Sequence, residues 1–289
     1  MFETDSKVWI VIPVHNRVDI TRECLKNLEV LQIKGKYNVL VVDDGSSDGT
    51  EEMINVGYPW VYVLKGDGSL FWGGAISIGM DYAVKRGAEV IVWLNDDCLP
   101  QDDSIKLLVN RVKTSKGVCG GVCWDDSVTE VTYSGYKKKV CGKMQLRPED
   151  GMRLEADFLG GNLVAIHASV IRQIGLLDSS EFQHYFADAW YTWKAKQSGA
   201  SVEVDGSAIA INESSNYFDR IGVSLSALDA WKSLWKKGSP ANLNDRFRFR
   251  KNVWGALYAL SSFKIILVMV KYTFVAYTRG GVRGLFLIR

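Results

Sequence analysis

The sequence has few histidines, an odd number of cysteines and no long apolar segment that is free of charge. Three histidines among 289 residues do not indicate a hydrolytic Ser–His–Asp site. Cys119 and Cys123 are closely spaced, but no second pair follows at zinc-finger spacing. Lys264 and Lys271 interrupt the apolar C-terminal segment, so a transmembrane run of about 20 apolar residues is missing. A triad hydrolase, a zinc domain and a membrane-spanning helix are therefore disfavoured.

Two common nucleotide-binding fingerprints are also missing. No G-K-[S/T] triplet of a P-loop occurs in the sequence. In the glycine-rich segment GDGSLFWGG, Phe71 stands where the G-x-G-x-x-G motif requires its third glycine. A nucleotide bound by this chain would therefore be held by carboxylates and a metal ion.

The N-terminal segment and the cysteine content predict a cytoplasmic protein. The opening MFETDSKVWIVIP places acidic residues before a short strand-like run, which does not resemble a signal peptide. Five cysteines, an odd number, also favour a reducing compartment over one in which disulfides form.

Membrane binding is predicted from the uneven distribution of charge. Residues 220–289 contain 13 lysines and arginines against Asp229 and Asp245, whereas the preceding part holds 22 basic and 31 acidic residues. From about Asp245 onward the basic residues are interleaved with Ile, Leu, Val and Met, which favours an anionic membrane surface over a nucleic acid. We therefore expect an amphipathic helix in the membrane interface. A C-terminal helix packed on the core is the alternative.

Four apolar runs of the strand type alternate with helix-type segments in the first hundred residues. Such unbroken runs are typical of strands buried on both faces of a parallel sheet. The sequence therefore predicts an α/β fold with a mostly parallel central sheet flanked by helices. The runs are KVWIVIPV (7–14), NVLVV (38–42), WVYVLK (60–65) and EVIVWL (89–94).

Polar clusters follow three of these runs directly: PVHNR (13–17), DDGSSDG (43–49) and NDDC (95–98). Parallel strands end at one edge of a sheet, where ligands gather, so we expect the clusters to form one crevice. In the third cluster Asn95 and Asp97 point to one side of the chain, which suits Mg²⁺ or Mn²⁺ shared with substrate phosphates. A solvated acidic turn that caps the next helix is the alternative.

Five segments, taken in order, resemble the family 2 glycosyltransferases with the GT-A fold. The resemblance covers roughly residues 7–215. The segment GDGSLFWGGAISIGM and the basic apolar tail are further similar to a bacterial branch that builds cell-surface polysaccharides, often labelled rhamnosyltransferases. The five segments are VIPVHNR, VVDDGSSDGT, VWLNDDC, FLGGNLVAIHASVIRQIGLLD and YFADAWYTWKAKQSG.

The resemblance implies an inverting, metal-dependent enzyme at the cytoplasmic face of the cell membrane. A sugar of hexosyl or rhamnosyl type would pass from a UDP- or dTDP-sugar to a hydroxyl of a lipid-linked glycan, in the synthesis of O-antigen, capsule or cell-wall glycan. We expect a GT-A catalytic domain over residues 1–220 and a basic, membrane-associating helical tail over 221–289. Within the domain, residues 1–100 would bind the nucleotide sugar and 101–220 the acceptor.

The resemblance also implies roles for individual residues. Asp188 would be the general base that takes the proton of the acceptor hydroxyl, and Asp97 would bind Mg²⁺ or Mn²⁺. The residues expected to bind the nucleotide sugar are Pro13, His15, Arg17, Asp44, Gly73, Gly74, Asn95 and Asp96. Candidates for contact with the sugars, because aromatic faces stack on pyranose rings and glycine turns allow close approach, are Trp72, Trp190, Gly161 and Asn162.

Three positions depart from the pattern of the family. Asn95 replaces the first aspartate of the D-x-D motif, and Ala187 replaces a glutamate that often precedes the base. Asn212 lies where many relatives carry a histidine that helps to hold metal or diphosphate. These departures leave Asp97 as the principal metal ligand and Asp188 as the single acid at the base position.

Two other classes of protein remain as alternatives. A sugar nucleotidyltransferase would also use strand-end carboxylates with Mg²⁺, but it should show a basic glycine-rich segment near the first strand, and VIPVHNRVD contains no glycine. A non-catalytic membrane-bound module of GT-A fold would keep its function without Asp97 and Asp188.

Overall fold

The structure, a computed structural model, describes residues 6–140, 142–212, 232, 234–236, 239 and 242–257. The chain divides into two units, residues 1–138 with 144–214 and residues 139–143 with 215–289. The predicted domain boundary after residue 220, and the predicted halves of that domain, stay predictions.

All four apolar runs form strands, and helices alternate with them. Every residue of the second and fourth strands is buried, as expected for a parallel sheet covered on both faces. The elements are β1 (Val8–Val14), α1 (Val18–Val30), β2 (Asn38–Asp43), α2 (Thr50–Gly57), β3 (Tyr62–Lys65), α3 (Phe71–Lys85) and β4 (Val90–Leu94).

Between β4 and Asn212 the described chain adds nine strands and three helices. They are β5 (Cys98–Pro100), α4 (Ser104–Ser115), β6 (Val118–Trp124), β7 (Val131–Tyr133), β8 (Gly135–Lys139), β9 (Gly142–Gln145), β10 (Arg153–Glu155), β11 (Phe158–Leu159), β12 (Leu163–His167), α5 (Ala168–Ile174), α6 (Ala187–Gln197) and β13 (Val202–Asn212).

The order of strands in the main sheet decides which loops meet. Among the described strands the order is β10-β13-β6-β12-β4-β1-β2-β3. The strands β4, β1, β2 and β3 are parallel, so their carboxyl ends share one edge. β12 is antiparallel to β4, with Leu163 opposite Leu94, so the loop before β12 reaches that same edge. The predicted α/β fold with a central sheet flanked by helices is confirmed, and its second half is mixed in direction.

Helices pack on both faces of the parallel half of the sheet. On one face, Leu25 of α1 and Leu108 of α4 lie in a buried cluster with Ile10. On the other face α3 comes so close that a Cβ on Gly79 would lie 2.3 Å from Val11 Cγ1. Burial of each such aliphatic side chain stabilises the fold by about 1.5–3 kcal/mol. The strand ends that carry the polar clusters are thus held by a close-packed core.

The C-terminal unit contains the helix α7 (Leu243–Trp254) and a short 3₁₀ helix (Gly255–Leu257). The side chain of Asn242 caps α7 by accepting a 3.0 Å hydrogen bond from Asp245 N. No helix among the described residues is long and apolar enough to cross a membrane. The predicted interfacial helix with Lys264 and Lys271 lies outside the described residues.

Candidate functional site

The three polar clusters meet at the carboxyl ends of β1, β2 and β4. His15 Nδ1 lies 2.5 Å from the carbonyl oxygen of Asp44, and Asn16 N donates to Ser46 Oγ at 2.8 Å. Asn16 has a positive φ of 52°, which an asparagine tolerates better than most residues. The loop after β1 is therefore fixed against the loop after β2, as the parallel order predicts.

Arg17 joins the first cluster to the third. Its Nη1 lies 2.9 Å from Asp96 Oδ1, and its Nη2 lies 2.9 Å from Asp97 Oδ2. Thr21 Oγ1 donates a further hydrogen bond of 3.2 Å to Asp96 Oδ2. We call the two ion pairs the Arg17 bridge. They help to explain how a buried strand can end in two adjacent carboxylates, because one cation contacts both and offsets part of their charge.

The two bridged carboxylates differ in environment. The Asp96 side chain is 2% exposed and the Asp97 side chain 25% exposed. Burial raises the pKa of Asp96 to about 7, against the effect of Arg17, which lowers it. The ion pair by itself would favour a low pKa, so desolvation of Asp96 outweighs it. Asp97, the more exposed of the two, is the carboxylate that a ligand can reach.

Asn212, at the end of β13, fixes Asp97 from the other side. Its Nδ2 donates to the carbonyl oxygen of Asp97 at 2.9 Å and to Asp97 Oδ1 at 3.1 Å. The Asn212 side chain is buried, and its Oδ1 has no hydrogen-bond partner among the residues that the structure describes. An unpaired buried oxygen costs about 1–3 kcal/mol, so a ligand or ion that approached it would gain stability.

These donors fit a metal ion that is shared with a substrate, and they do not form a closed metal cage. Within the described ranges, no group of three or more His, Cys, Asp or Glu side chains is placed to hold an ion. Asp97 supplies one accessible carboxylate, and the orphaned Asn212 Oδ1 is a second hard oxygen. Mg²⁺ and Mn²⁺ are often bound by one or two such ligands, with phosphates and waters completing the shell.

Asp188 lies in the first turn of α6, across from the strand ends. Its Oδ2 accepts a hydrogen bond of 2.7 Å from Gly161 N, and its Oδ1 accepts one of 2.7 Å from Ala189 N. A Cβ at position 161 would lie 2.8 Å from Asp188 Cβ and 2.7 Å from Trp72 Cζ2. Glycine is therefore required at position 161 by the close approach of these two side chains.

Trp72 connects the Asp188 region to the end of β4. Its indole N–H donates to Asn95 Oδ1 at 2.7 Å, and its ring meets Trp93 edge to face at 5.5 Å. Its backbone N–H donates to His184 Nδ1 at 3.3 Å. Burial lowers the pKa of His184, which favours the neutral ring that can accept this bond. The predicted sugar-binding residues Trp72, Asn95 and Gly161 thus lie together.

Asp44 organises the glycine-rich segment that leads into α3. Its Oδ1 accepts hydrogen bonds from Gly68 N at 2.8 Å and from Leu70 N at 3.2 Å, and its Oδ2 accepts one from Phe71 N at 2.9 Å. The Asp44 side chain is buried. This carboxylate therefore holds the loop, and its predicted contact with the base or ribose stays a prediction.

Gly73 and Gly74 lie in the first turn of α3, where they allow close packing. Gly73 N donates to Gln183 O at 2.8 Å, and a Cβ on Gly73 would lie 2.8 Å from the carbonyl oxygens of both Phe182 and Gln183. A Cβ on Gly74 would lie 3.1 Å from Leu70 Cβ. These glycines bring α3 against the segment before α6, and their predicted contact with the nucleotide sugar stays a prediction.

The remaining predicted residues have local partners. Pro13 pairs in register with Val42 of β2. The carbonyl oxygen of Asn162 accepts from Asn95 N at 3.0 Å, which brings the loop before β12 to the end of β4. Trp190 donates its indole N–H to Glu181 and packs edge to face against Phe182. A contact of Trp190 with a sugar stays a prediction.

Sequence reasoning missed Thr21 and the partnership of Arg17 with both acids. The signal was available for Thr21, because this polar residue falls on the apolar stripe of α1 with Cys24, Leu25 and Leu28. A polar side chain on such a stripe needs a buried hydrogen-bond partner. The pairing of Arg17 with Asp96 and Asp97 depends on strand order, which residue spacing does not specify.

The sequence profile of glycosyl transferase family 2 matches residues 9–172, more than half of the chain. The chain therefore belongs to glycosyl transferase family 2. It is 26% identical over 207 residues to undecaprenyl-phosphate mannosyltransferase of Micrococcus luteus, a match that covers 68% of this chain and 80% of that protein. It is 29% identical over 126 residues to glycosyltransferase AglE of Haloferax volcanii, which covers 42% of this chain and 40% of AglE.

Two solved structures have a similar fold. Mannosyltransferase PcManGT from Pyrobaculum calidifontis, in complex with GDP-Man and Mn²⁺, has a TM-score of 0.58 at 14% identity, over 96% of this chain and 76% of that one. GalNAc-T7 with UDP, GalNAc and Mn²⁺ has a TM-score of 0.57 at 14% identity, over 91% of this chain and 57% of that one. Identity at this level shows the fold alone, which is of the GT-A type.

Proposed function

We propose that this chain is a metal-dependent, inverting glycosyltransferase that moves a sugar from a nucleoside-diphosphate sugar to a hydroxyl of a lipid-linked glycan. The observation that carries the proposal is a chain of contacts that runs from the accessible carboxylate of Asp97 to the carboxylate of Asp188. Asn95 is two residues from Asp97, and Trp72 links Asn95 to the glycine that contacts Asp188. These contacts support a single site with Asp97 on the diphosphate side and Asp188 on the acceptor side.

Asp188 is proposed as the general base. Inversion requires a carboxylate opposite the leaving diphosphate, where it takes the proton of the attacking hydroxyl. The hydrogen bonds from Gly161 N and Ala189 N hold one lone pair on each oxygen of Asp188 and so fix the orientation of the carboxylate. A carboxylate oxygen has two lone pairs, so an N–H donor and the proton of an acceptor hydroxyl can share one oxygen.

Asp97 is proposed as the ligand of Mg²⁺ or Mn²⁺, with Asn212 holding it in place. The ion, when bound, would offset the negative charge that grows on the leaving diphosphate. The amide of Asn95 has its Oδ1 occupied by Trp72, so its Nδ2 is the group that can donate to an oxygen of the donor. The arrangement therefore divides the task between Asp97 on the metal and Asn95 on the nucleotide sugar.

The names of the relatives support the substrate classes. The Micrococcus luteus relative is named for a lipid phosphate acceptor and mannose, and the two solved structures contain GDP-Man or UDP together with Mn²⁺. We propose a lipid-linked acceptor used in surface polysaccharide synthesis, and a donor of the rhamnosyl or another hexosyl type carried on UDP or dTDP. The basic tail supports a peripheral position on the inner face of the cell membrane.

A transfer assay with purified full-length protein tests the proposal. A panel of UDP-, dTDP- and GDP-sugars is offered with Mn²⁺ and a polyprenyl-phosphate or polyprenyl-diphosphate glycan, and product is detected by mass spectrometry. We expect one donor to give an inverted product, and EDTA to abolish its formation. Asp188→Asn should lower the rate by at least about 100-fold while donor affinity persists. Asp178→Asn, in the loop before α6, is the matched control and should transfer normally. Undiminished transfer by Asp188→Asn would show that Asp188 is not the base.

A further inference from the structure

The Arg17 bridge places a fixed cation where the proposed reaction requires a divalent one. Arg17 Nη2 lies 2.9 Å from Asp97 Oδ2, which is the oxygen that faces the guanidinium. A metal ion on Asp97 would stand beside this positive charge, and two like charges at such distances repel strongly. The guanidinium and the metal ion therefore compete for the same carboxylate.

We propose that Arg17 is a positioning residue whose guanidinium moves one of its contacts from Asp97 to the diphosphate of the donor. This proposal rests on the proposed function. In the donor-free protein Arg17 pairs with Asp96 and Asp97 at once. When a diphosphate enters, the Nη2 arm leaves Asp97 and pairs with phosphate oxygens, for which the planar guanidinium is well suited. Asp97 is then open to the metal ion, so diphosphate binding and metal binding strengthen each other.

The two ion pairs of the Arg17 bridge differ in strength, and this difference decides which contact breaks. Asp96 is 2% exposed and also accepts a hydrogen bond from Thr21, so removing its cation would leave a buried charge unpaired. Asp97 is 25% exposed, and an ion pair at such a surface contributes little to stability. Nη1 therefore stays on Asp96 while Nη2 exchanges its partner.

The backbone on both sides of the bridge is fixed, so the exchange needs only side-chain rotation. The carbonyl oxygen of Arg17 accepts the first hydrogen bond of α1, from Thr21 N at 2.9 Å, and the preceding Asn16 is held by Ser46. Asp97 is held by Asn212 through its carbonyl oxygen and its Oδ1. When Nη2 departs, Asp97 Oδ2 is released in a carboxylate that keeps its position.

Mn²⁺ binding to the full chain in the absence of any donor tests the competition. Free Mn²⁺ is measured by electron paramagnetic resonance. Arg17→Gln should bind Mn²⁺ about twofold to fivefold more tightly than the unmodified protein, the range expected for one partly exposed ion pair. Arg22→Gln, which removes an arginine paired with exposed Asp19 on the same helix, is the matched control and should bind Mn²⁺ unchanged.

A second pair of variants keeps the test valid if Arg17→Gln does not fold. Asp96→Asn removes the buried charge while Arg17 can still pair with Asp97, and the double variant Asp96→Asn/Arg17→Gln removes the competitor on that neutral background. The double variant should bind Mn²⁺ more tightly than Asp96→Asn by the same factor. Equal or weaker Mn²⁺ binding without Arg17 on both backgrounds, or no Mn²⁺ bound by any of these proteins, overturns the proposal.

Pyrophosphate in the presence of EDTA tests the other half of the exchange. Calorimetric titration should show that Arg17→Gln loses at least about tenfold in pyrophosphate affinity, because a charge-assisted pair is lost, whereas Arg22→Gln keeps it. Equal affinities of these two variants would overturn the transfer of Arg17 to the diphosphate. Both binding tests are independent of sugar transfer. If both binding tests give the expected results but no donor yields product, only the proposed function is wrong. If sugar transfer occurs but the affinity for Mn²⁺ does not depend on Arg17, only this inference is wrong.

Discussion

The indole N–H of Trp72 donates a 2.7 Å hydrogen bond to Asn95 Oδ1, and this bond fixes which end of the Asn95 amide faces the crevice. Trp72 lies in the first turn of α3, and Asn95 directly follows β4. The bond therefore connects the two parts of the chain that are proposed to contact the donor. It also assigns the amide orientation, because an indole N–H can only donate and so requires the oxygen of Asn95.

Replacing Trp72 by Phe should keep an aromatic ring beside Gly161 but release Asn95. We expect the specificity constant for sugar transfer to fall about threefold to tenfold, the value of one lost hydrogen bond that orients a binding group. Steady-state kinetics with the donor found in the transfer assay measures this. Trp60→Phe is the matched control, because Trp60 Nε1 also donates to a side chain, Glu29, at 3.1 Å, away from the crevice. Equal losses in both variants would argue that Trp72 acts through general stability.

Replacing Gly161 by Ala should lower the stability of the fold and also displace the proposed base, Asp188. The new methyl group would lie 2.7 Å from Trp72 Cζ2 and 2.8 Å from Asp188 Cβ, so at least one of these side chains must move. Overpacking of this kind lowers the free energy of unfolding by about 1–3 kcal/mol. Urea unfolding measures this loss, and the transfer assay should show a larger loss of rate than Trp72→Phe causes.

Gly57→Ala provides the control for that substitution. Gly57 ends α2, and an added Cβ there meets nothing within 4 Å. Alanine at this position should not lower the free energy of unfolding, and it should leave the transfer rate unchanged. If Gly161→Ala is as harmless as Gly57→Ala, the close packing of Trp72 and Asp188 around position 161 is not required.

Residue patterns were sufficient for the parallel half of the sheet and for the edge where the site lies. The four unbroken apolar runs specify buried strands, and parallel strands must end together, which placed Arg17, Asp44 and Asp97 at one edge. The patterns could not specify that β12 inserts antiparallel beside β4, because strand order is decided by packing between distant segments. The contact of Gly161 with Asp188 and Trp72 follows from that insertion, and so does the bond between Asn162 and Asn95.

Individual hydrogen bonds also could not be predicted from the sequence. A carboxylate after a strand can bind a ligand, cap a helix or hold a loop, and Asp44 accepts three backbone N–H groups of the glycine-rich segment. The adjacent acids Asp96 and Asp97 look equivalent in the sequence. Their different burial comes from α1, which covers Asp96 through Thr21 and leaves Asp97 at the surface.

The stability of the metal-free protein should depend on pH through Asp96. Burial raises the pKa of Asp96 from its ordinary value of 3.8 to about 7 in the folded state. Between these values the folded state retains a proton that the unfolded state has released, so stability is highest at the acidic end and falls as pH rises towards 7. The fall contributed by this group is at most about 1.4 kcal/mol per pH unit.

Asp96→Asn should remove that contribution and flatten the profile relative to the unmodified protein. Urea unfolding in EDTA at half-unit steps from pH 4.5 to pH 8 measures the difference between the two proteins. Asp19→Asn, which changes an exposed acid of α1, is the control and should follow the unmodified profile. Parallel profiles for Asp96→Asn and the unmodified protein would mean that Asp96 titrates at its ordinary pKa.

The basic tail should determine membrane binding independently of the crevice. Truncation after Leu257 keeps α7, whose Trp254 donates to the carbonyl oxygen of Lys139 at 2.6 Å, and removes Lys264, Lys271 and three C-terminal arginines. In a vesicle sedimentation assay, the full chain should bind vesicles that contain anionic lipid and the truncated chain should stay in solution. Each lysine or arginine near an anionic surface contributes about 1 kcal/mol, so the paired substitution Lys264→Glu/Lys271→Glu should weaken binding at full length. If both altered proteins bind vesicles as the full chain does, the tail is a packed part of the protein and the membrane is reached through another surface.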